Sequence, residues 1–354
     1  MTLLNPTRGV FLTNGNAGRL EINTLRGQAF KTMLKVELSY DVVKINNLHQ
    51  WPFWSDNNFV HAYTLQNLDV LYFERADNPM LTNIFTIFAR SGIRFGQNAN
   101  GKTSKVHLAN ADFDRGNLGV WVDSTVTTGV TGQFSNLTYQ WETGLLGSKG
   151  IFVDGNFSEL DFVNTRSDGS SGSAIHIAGS GNKINLSGRT VAKFYDSSVT
   201  NVAAIYSGDG NIIDIDGYPT IESGGGAGGR YGGSGNIRVD EWRNYSASVN
   251  STVGAIAEIG NVSSIFKRFG NTVEIALDIS ISSNGSGSGA VRVTIPTPAN
   301  AQAVGIGRDV NVGGAALTGT ISFGTSYIDI RRYDNTYPAA NGSRLVMNAS
   351  YKIA

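Results

Sequence analysis

Asp154-Gly155-Asn156, Gly179-Ser180-Gly181-Asn182, Gly208-Asp209-Gly210-Asn211 and Gly233-Ser234-Gly235-Asn236 punctuate the middle of the chain at a nearly constant interval. Their Gly-Asn pairs begin at 155, 181, 210 and 235, so the steps are 26, 29 and 25 residues. A short strand pattern precedes each turn: Gly150-Ile151-Phe152-Val153, Ala174-Ile175-His176-Ile177, Ala203-Ala204-Ile205-Tyr206 and a degenerate Gly229-Arg230-Tyr231. Another alternating run follows, as in Lys183-Ile184-Asn185-Leu186 and Ile212-Ile213-Asp214-Ile215. Such a turn needs φ > 0, which glycine supplies freely and asparagine tolerates. One strand–turn–strand unit cannot bury its apolar face alone, so a repeat of this length predicts stacking into a solenoid.

The segments upstream keep the same period with asparagine alone. Asn47-Leu48-His49-Gln50-Trp51, Asn83-Ile84-Phe85-Thr86-Ile87, Asn110-Ala111-Asp112-Phe113-Asp114 and Asn136-Leu137-Thr138-Tyr139-Gln140 are spaced by 36, 27 and 26 residues. The long first step holds an aromatic insertion, Trp51-Pro52-Phe53-Trp54-Ser55-Asp56, and Asp56 to Leu68 is the one place for a short helix. Strand patterns begin within the first 12 residues with no capping element ahead of them, which suggests that the chain starts inside a longer parent. After the glycine-rich run Glu222–Gly229 the pattern changes to short alternating strands every 10–15 residues or so, among them Phe266–Ile275, Ala290–Ile295 and Tyr327–Ile330. The expected fold is therefore all-β: a right-handed parallel β-helix over 1–240, a linker over 241–262, and an antiparallel, jelly-roll-like β-sandwich over 263–354.

Composition narrows the function. With 28 basic and 28 acidic residues the chain offers no basic field for nucleic acid or an anionic membrane. No apolar run reaches the ~20 residues of a membrane span. The absence of cysteine removes disulfides and thiol chemistry, and four scattered histidines provide no zinc spacing, so neither a metal nor a cofactor is expected.

Two stretches carry a resemblance. One runs from Gly18-Arg19-Leu20-Glu21-Ile22 through Tyr40-Asp41-Val42 to His49–Ser55, with Arg75-Ala76-Asp77 and Asn83-Ile84-Phe85 behind it. The other is Asn284-Gly285-Ser286-Gly287, Val291-Arg292-Val293, Tyr333–Pro338 and Asn341–Leu345. Together they make the chain resemble bacteriophage tailspike and tail-fibre receptor-binding proteins of the pectate-lyase-like superfamily. The resemblance implies a homotrimer on the virion tail, joined to the rest of the tail through an N-terminal domain missing here. It also implies binding, and often cleavage, of a bacterial surface polysaccharide such as lipopolysaccharide O-antigen or capsule. A non-catalytic adhesin, a polysaccharide lyase and a purely structural fibre segment remain alternatives.

Aligning the rungs on asparagine places His49, Phe85, Asp112, Thr138 and Asp161 in one outward column, and Trp51, Ile87, Asp114, Gln140 and Val163 in the next. Asp112 and Asp114 then share a face, with Glu142 one rung on. The diagonal from Asp114 to Glu142, one rung on and one column over, gives a carboxylate separation of roughly 7–9 Å, which suits an inverting glycosidase with one carboxyl acting as acid and the other activating water. Glu74, Arg75 and Asp77 form a second candidate set of acid, clamp and base, or else a turn fixed by its own ion pair. His49, Trp51, Trp54, Arg75, Arg115 and Trp141 are the expected substrate-binding residues, because sugar rings present C–H faces that stack on flat aromatics. Trp121, between Val120 and Val122, is ambiguous between groove, core and subunit interface.

Overall fold

The computed structural model describes residues 1–142, 145, 147–170, 172–194, 202–217, 219–223, 229–239, 242–269 and 271–353. The glycine run 224–228 and the turn residue Gly270 lie outside the described residues. The chain divides into two compact units, Met1–Ile237 and Arg238–Ala354.

The first unit is a parallel β-solenoid of about 8 turns. One nine-stranded sheet stacks Arg8–Leu12, Thr32–Val36, Asp69–Phe73, Ser91–Phe95, Leu118–Val122, Lys149–Val153, Ile175–Ile177, Ile205–Ser207 and Tyr231–Gly232. The second sheet is built on Val43–Gln50, Pro79–Ile87, Val106–Gly116, Thr131–Trp141 and Glu159–Ser170. These strands are long because each bends at one asparagine. In Val106–Gly116 the buried positions run Val106, Leu108, then Ala111 and Phe113, so Ala109 and Asn110 both face outward and the alternation slips by one. The slip is a corner in the left-handed region: Asn47, Asn83, Asn110, Asn136 and Asn164 have φ of 60°, 56°, 59°, 54° and 54°. Asparagine is the side-chain-bearing residue best able to hold this conformation, and its amide also bonds along the stack. Asn136 Nδ2 donates to Asn110 Oδ1 at 3.1 Å, and Asn164 Nδ2 to Asn136 Oδ1 at 3.3 Å. Asn136→Ala, which loses both bonds and strains the corner, is expected to cost about 1–2 kcal/mol, and Asn136→Gly less, in thermal melts.

Inside, residues of matching register form columns, as in Leu81, Leu108, Phe134, Phe162 and Leu186. Phe134 and Phe162 are fully buried and stack at 4.7 Å between centroids. The Gly-Asn turns hold their place in part. Gly181 and Gly210 have φ of 70° and 72°, and Asn182 Nδ2 donates to Asn211 Oδ1 at 3.0 Å in a second, buried ladder. The first turn is displaced by two residues: Glu159 pairs with Lys183, so Phe157 (φ 57°), not Gly155, occupies the position of Gly181. The expected helix forms at Asn58–Asn67, where the Asn57 side chain caps it by accepting from the Val60 N–H at 3.1 Å. No helix among the described residues is long and apolar enough to cross a membrane.

In the second unit the strands belong to one nine-stranded antiparallel sheet, in place of the two-sheet sandwich expected from their alternation. Residues read as linker are part of it: Val249–Val253 pairs with Ser288–Thr294, and Glu258–Phe269 with Thr272–Ser283. The sheet curls round its own apolar face. Val273, Ile275, Leu277, Ile279 and Ile281 alternate inward and meet Val291, Val293, Ile328, Ile330, Leu345 and Met347 in one core. Its two outermost positions are taken by neighbouring parts of the chain: Arg243–Asn244 borders Glu258–Phe269, while Val249–Val253 borders the opposite edge.

Candidate functional site

The aromatic insertion leaves the end of Val43–Gln50 and is fixed from beneath. Gln28, 2% exposed, accepts from the Trp54 and Ser55 N–H groups at 3.1 and 2.9 Å and donates to the Ser55 carbonyl at 3.0 Å. So held, the loop presents Trp51, Phe53 and Trp54 at 39%, 40% and 45% exposure. His49 stands edge-on to three rings, Trp51, Phe53 and Phe85, at 6.0, 5.4 and 5.0 Å. Burial, and then the charge of Arg26, push its imidazole below the usual histidine range, so it remains a neutral ring near pH 7. Trp51 and Trp54 are exposed on this loop, Phe85 stands in the column expected for it, and Phe53 and the supporting Gln28 were missed. The Gln28 signal is faint, since a buried glutamine is recognisable only once the loop above it is known. Gln28→Leu removes three hydrogen bonds to the loop and leaves its amides unpaired. It is expected to weaken glycan binding by about tenfold or more with the β-sheet circular dichroism retained, as measured by titration.

The platform runs in register into the carboxylates. Arg26, His49, Phe85, Asp112, Thr138 and Arg166 form one continuous outward column. The first four expected members are therefore correct, but Arg166 replaces Asp161. Asn164 continues the asparagine corner, so the column position two residues on is Arg166, and Asp161 pairs with Gln133 on the face before it. In the neighbouring column Asp114 pairs with Ile87, and Gln140 with Asp168, where Val163 had been placed. Trp51 lies beyond the strand end in the loop.

Asp112 and Asp114 are half-buried on one face, two residues and so roughly 6.5–7 Å apart along the strand. The Asp112 carboxyl is held above the usual range by burial and then by the charge of Asp114. Asp114 is raised too, chiefly by burial, with Arg115 pulling the other way, and its buried Oδ1 has no hydrogen-bond partner among the described residues. Insertion and rung meet beside it: Leu65 of the helix packs with Ile87 and Phe88, and Leu145 closes on the same cluster.

The remaining candidates are held in ion pairs or lie beside one. Glu142 is gripped by two nitrogens of the Arg115 guanidinium, Nε to Oε2 at 2.5 Å and Nη2 to Oε1 at 2.8 Å. Arg115 also lies over the Phe88 ring at 4.7 Å. Trp141 pairs across from Gly116, half-buried beside this ion pair. Glu74 bonds Lys35 at 2.9 Å on the other sheet, away from Asp112. Arg75 grips Asp77 at 2.7 and 3.1 Å and Ser104 donates to Asp77 at 2.8 Å, the self-fixing turn; Arg75 first, and Ser104 less, hold that carboxyl below the usual range. Trp121 points outward on the nine-stranded sheet, under Arg94 at 4.3 Å.

Two adjoining depressions of ≈ 510 and ≈ 630 Å³ share His107, Gln133, Asp161 and Asn185 on the face before the asparagine corner. The one phenylalanine lining them, Phe134, is fully buried, so the exposed His107 is the aromatic ring that face offers a sugar, against Trp51, Phe53 and Trp54 at the insertion. We therefore place the site at the smaller, aromatic-flanked surface. Among the described residues no three His, Asp or Glu side chains are grouped to hold a metal ion.

No family model and no curated protein matches the chain. Its structure is similar to that of the Dettilon tailspike protein, with a TM-score of 0.38 and 9% identity over 99% of this chain and 87% of that one. It is also similar to the enzymatically active domain of bacteriophage CBA120 tailspike protein 4, with a TM-score of 0.21 and 12% identity over 97% of this chain and 50% of that one.

Proposed function

We propose that the chain is a tailspike-type receptor-binding protein that lays a bacterial surface polysaccharide along the Arg26–His49–Phe85–Asp112–Thr138 column and hydrolyses it at Asp112 and Asp114. The observation that carries this reading is the register itself: an exposed aromatic platform leads, rung by rung, into two half-buried carboxylates of raised pKa. The ~4.8 Å rung spacing is comparable to the length of a pyranose residue, so successive sugars meet successive rungs. Asp112 has no cation lowering it and takes the proton, serving as acid, while Asp114, eased by Arg115, serves as base. Two positions apart on one strand face, roughly 6.5–7 Å along the backbone, they are spaced for a water between them, as an inverting reaction needs.

A lyase needs a free cation to neutralise a uronate and a base beside it. Beside Asp112 and Asp114 the nearest arginine, Arg115, is paired with Glu142, Arg90 and Arg94 are engaged by Asp69 and Asp123 on the other sheet, and Arg26 stands three rungs away, which favours hydrolysis at the aspartates. Self-association into a homotrimer is proposed on the outward column Tyr72, Arg94, Trp121, Phe152, His176 and Tyr206, where His176 stacks on Tyr206 at 4.5 Å. The deciding experiment sizes purified host polysaccharide after incubation with the protein. Shorter chains with new reducing ends, and no unsaturated-uronate absorbance, are expected. Tight binding without shortening leaves the adhesin, and no binding at all defeats the reading.

A further inference from the structure

Resting on that reading of the column, we propose that its Arg26 end is a subsite for a sugar residue bearing a carboxylate. Arg26 lies in the strand Leu25–Gly27, between Thr2 on one side and His49 on the other. Together with Thr2, Phe53 and Trp54 it lines a cavity of ≈ 230 Å³. The arginines elsewhere along the platform and carboxylate rungs are neutralised: Arg75 by Asp77, Arg115 by Glu142 and Arg166 by Asp168. Arg26 has no carboxylate partner among the described residues; its Nε donates to Thr2 Oγ1 at 3.3 Å. An exposed guanidinium left without an anion, with its planar fork beside two aromatic faces, matches a carboxylate on a pyranose ring. The fork takes the carboxylate in paired, charge-assisted hydrogen bonds, and the rings of Phe53 and Trp54, 5.3 Å apart, take the C–H face. A neutral sugar has no use for the charge, and a bare anion has none for the rings. Three rungs separate Arg26 from Asp112, about 14 Å at the rung spacing, so the acidic residue sits roughly three sugars from the bond that is cut.

The test uses the full chain with 5-fluorotryptophan at its tryptophans, Trp51 and Trp54 being assigned by Trp→Phe variants. Methyl glucuronide, methyl galacturonide, methyl glucoside and sodium acetate are titrated in turn and followed by fluorine NMR. A saturable shift of the Trp54 signal is expected with at least one uronide, weaker or absent with the glucoside and acetate, and fading as sodium chloride is raised. Arg26→Gln is expected to weaken that uronide response by about tenfold or more, and Arg26→Lys by less, since it keeps the charge but not the fork. Equal shifts with acetate, equal shifts with the glucoside, or an unchanged response in Arg26→Gln would each overturn the subsite. A Trp51 response common to all three sugars with Trp54 silent would overturn it while leaving the platform standing. Silence of both tryptophans toward every sugar removes the subsite and the platform together.

Discussion

Replacing Asp114 by Asn is expected to slow polysaccharide shortening by about 10²–10⁴-fold, and Asp112→Asn to do the same, while binding of intact chains changes little. The expectation follows from division of labour between two like groups. Both carboxyls are raised by burial, and the charge of Asp114 raises Asp112 further, so over a range of pH the pair holds one proton between them. Activity should then follow a bell. It falls at low pH as the second proton arrives, and at high pH as the shared proton leaves, with both limbs above the usual carboxylate range. The two roles separate on a substrate with an activated leaving group, which needs no protonation: Asp112→Asn recovers most of its rate there and Asp114→Asn does not. A variant pair that keeps full activity would move the chemistry elsewhere.

The same substitutions carry a stability signature of opposite sign. A carboxyl whose folded pKa lies above its unfolded value favours the fold when protonated; that contribution is complete below the unfolded pKa and is lost as pH rises through the folded one. At neutral pH both aspartates therefore burden the fold, and Asp112→Asn should melt higher than the parent at pH 7, the gap closing as pH falls toward the ordinary range of a free aspartate. Loss of activity with gain of stability in one variant would mark a site kept for chemistry rather than for packing.

Phe134→Ala is expected to be the most destabilising single change in the solenoid, at about 3–5 kcal/mol. The ring is fully buried, stacks face to face on Phe162 at 4.7 Å and meets the edge of Phe95 at 6.2 Å, so truncation opens a cavity between adjacent rungs that neither neighbour can fill. For a unit of this size the melting temperature should drop by roughly 6–20 °C. Phe134→Leu should cost a fraction of that. Because each rung touches only its neighbours, Phe134→Ala and Phe162→Ala should be strongly non-additive, whereas Phe134→Ala and a distant core change should add. A drop under about 2 °C would show that the stack does not hold the rungs together.

The solenoid was legible because its corners are chemical: only glycine or asparagine sits comfortably at φ > 0, and Asn47, Asn83, Asn110 and Asn136 therefore mark one edge of the stack. That edge correctly set His49, Phe85, Asp112 and Thr138 in a column. It failed one rung later, where the corner falls at Asn164 and the column continues at Arg166, five residues beyond the expected Asp161. The helix at Asn58–Asn67 was readable from its position and carries its own cap. The grip of Arg115 on Glu142 was not readable, because it depends on Arg115 adopting φ 45° and turning its side chain toward the next rung. For a related reason alternation alone could not establish a C-terminal sandwich: it is the same whether strands face a second sheet or curl round their own, and pairing partners decide between the two.

The curled sheet has one more consequence, which concerns the company the protein keeps at high concentration. Open strand edges recruit other strands, and a sheet with two of them is a template for fibres. Here a single short stretch of chain stands guard at both: Val249–Val253 pairs along one edge, and Arg243–Asn244 pairs with Ile265 and Phe266 on the other. The length of that second edge left uncovered, Glu258–Val262, is interrupted by two register shifts, and such kinks spoil the straight ladder an incoming strand would need. A fragment beginning at residue 258 would lose both guards in one cut, and its natural fate is polymer rather than monomer.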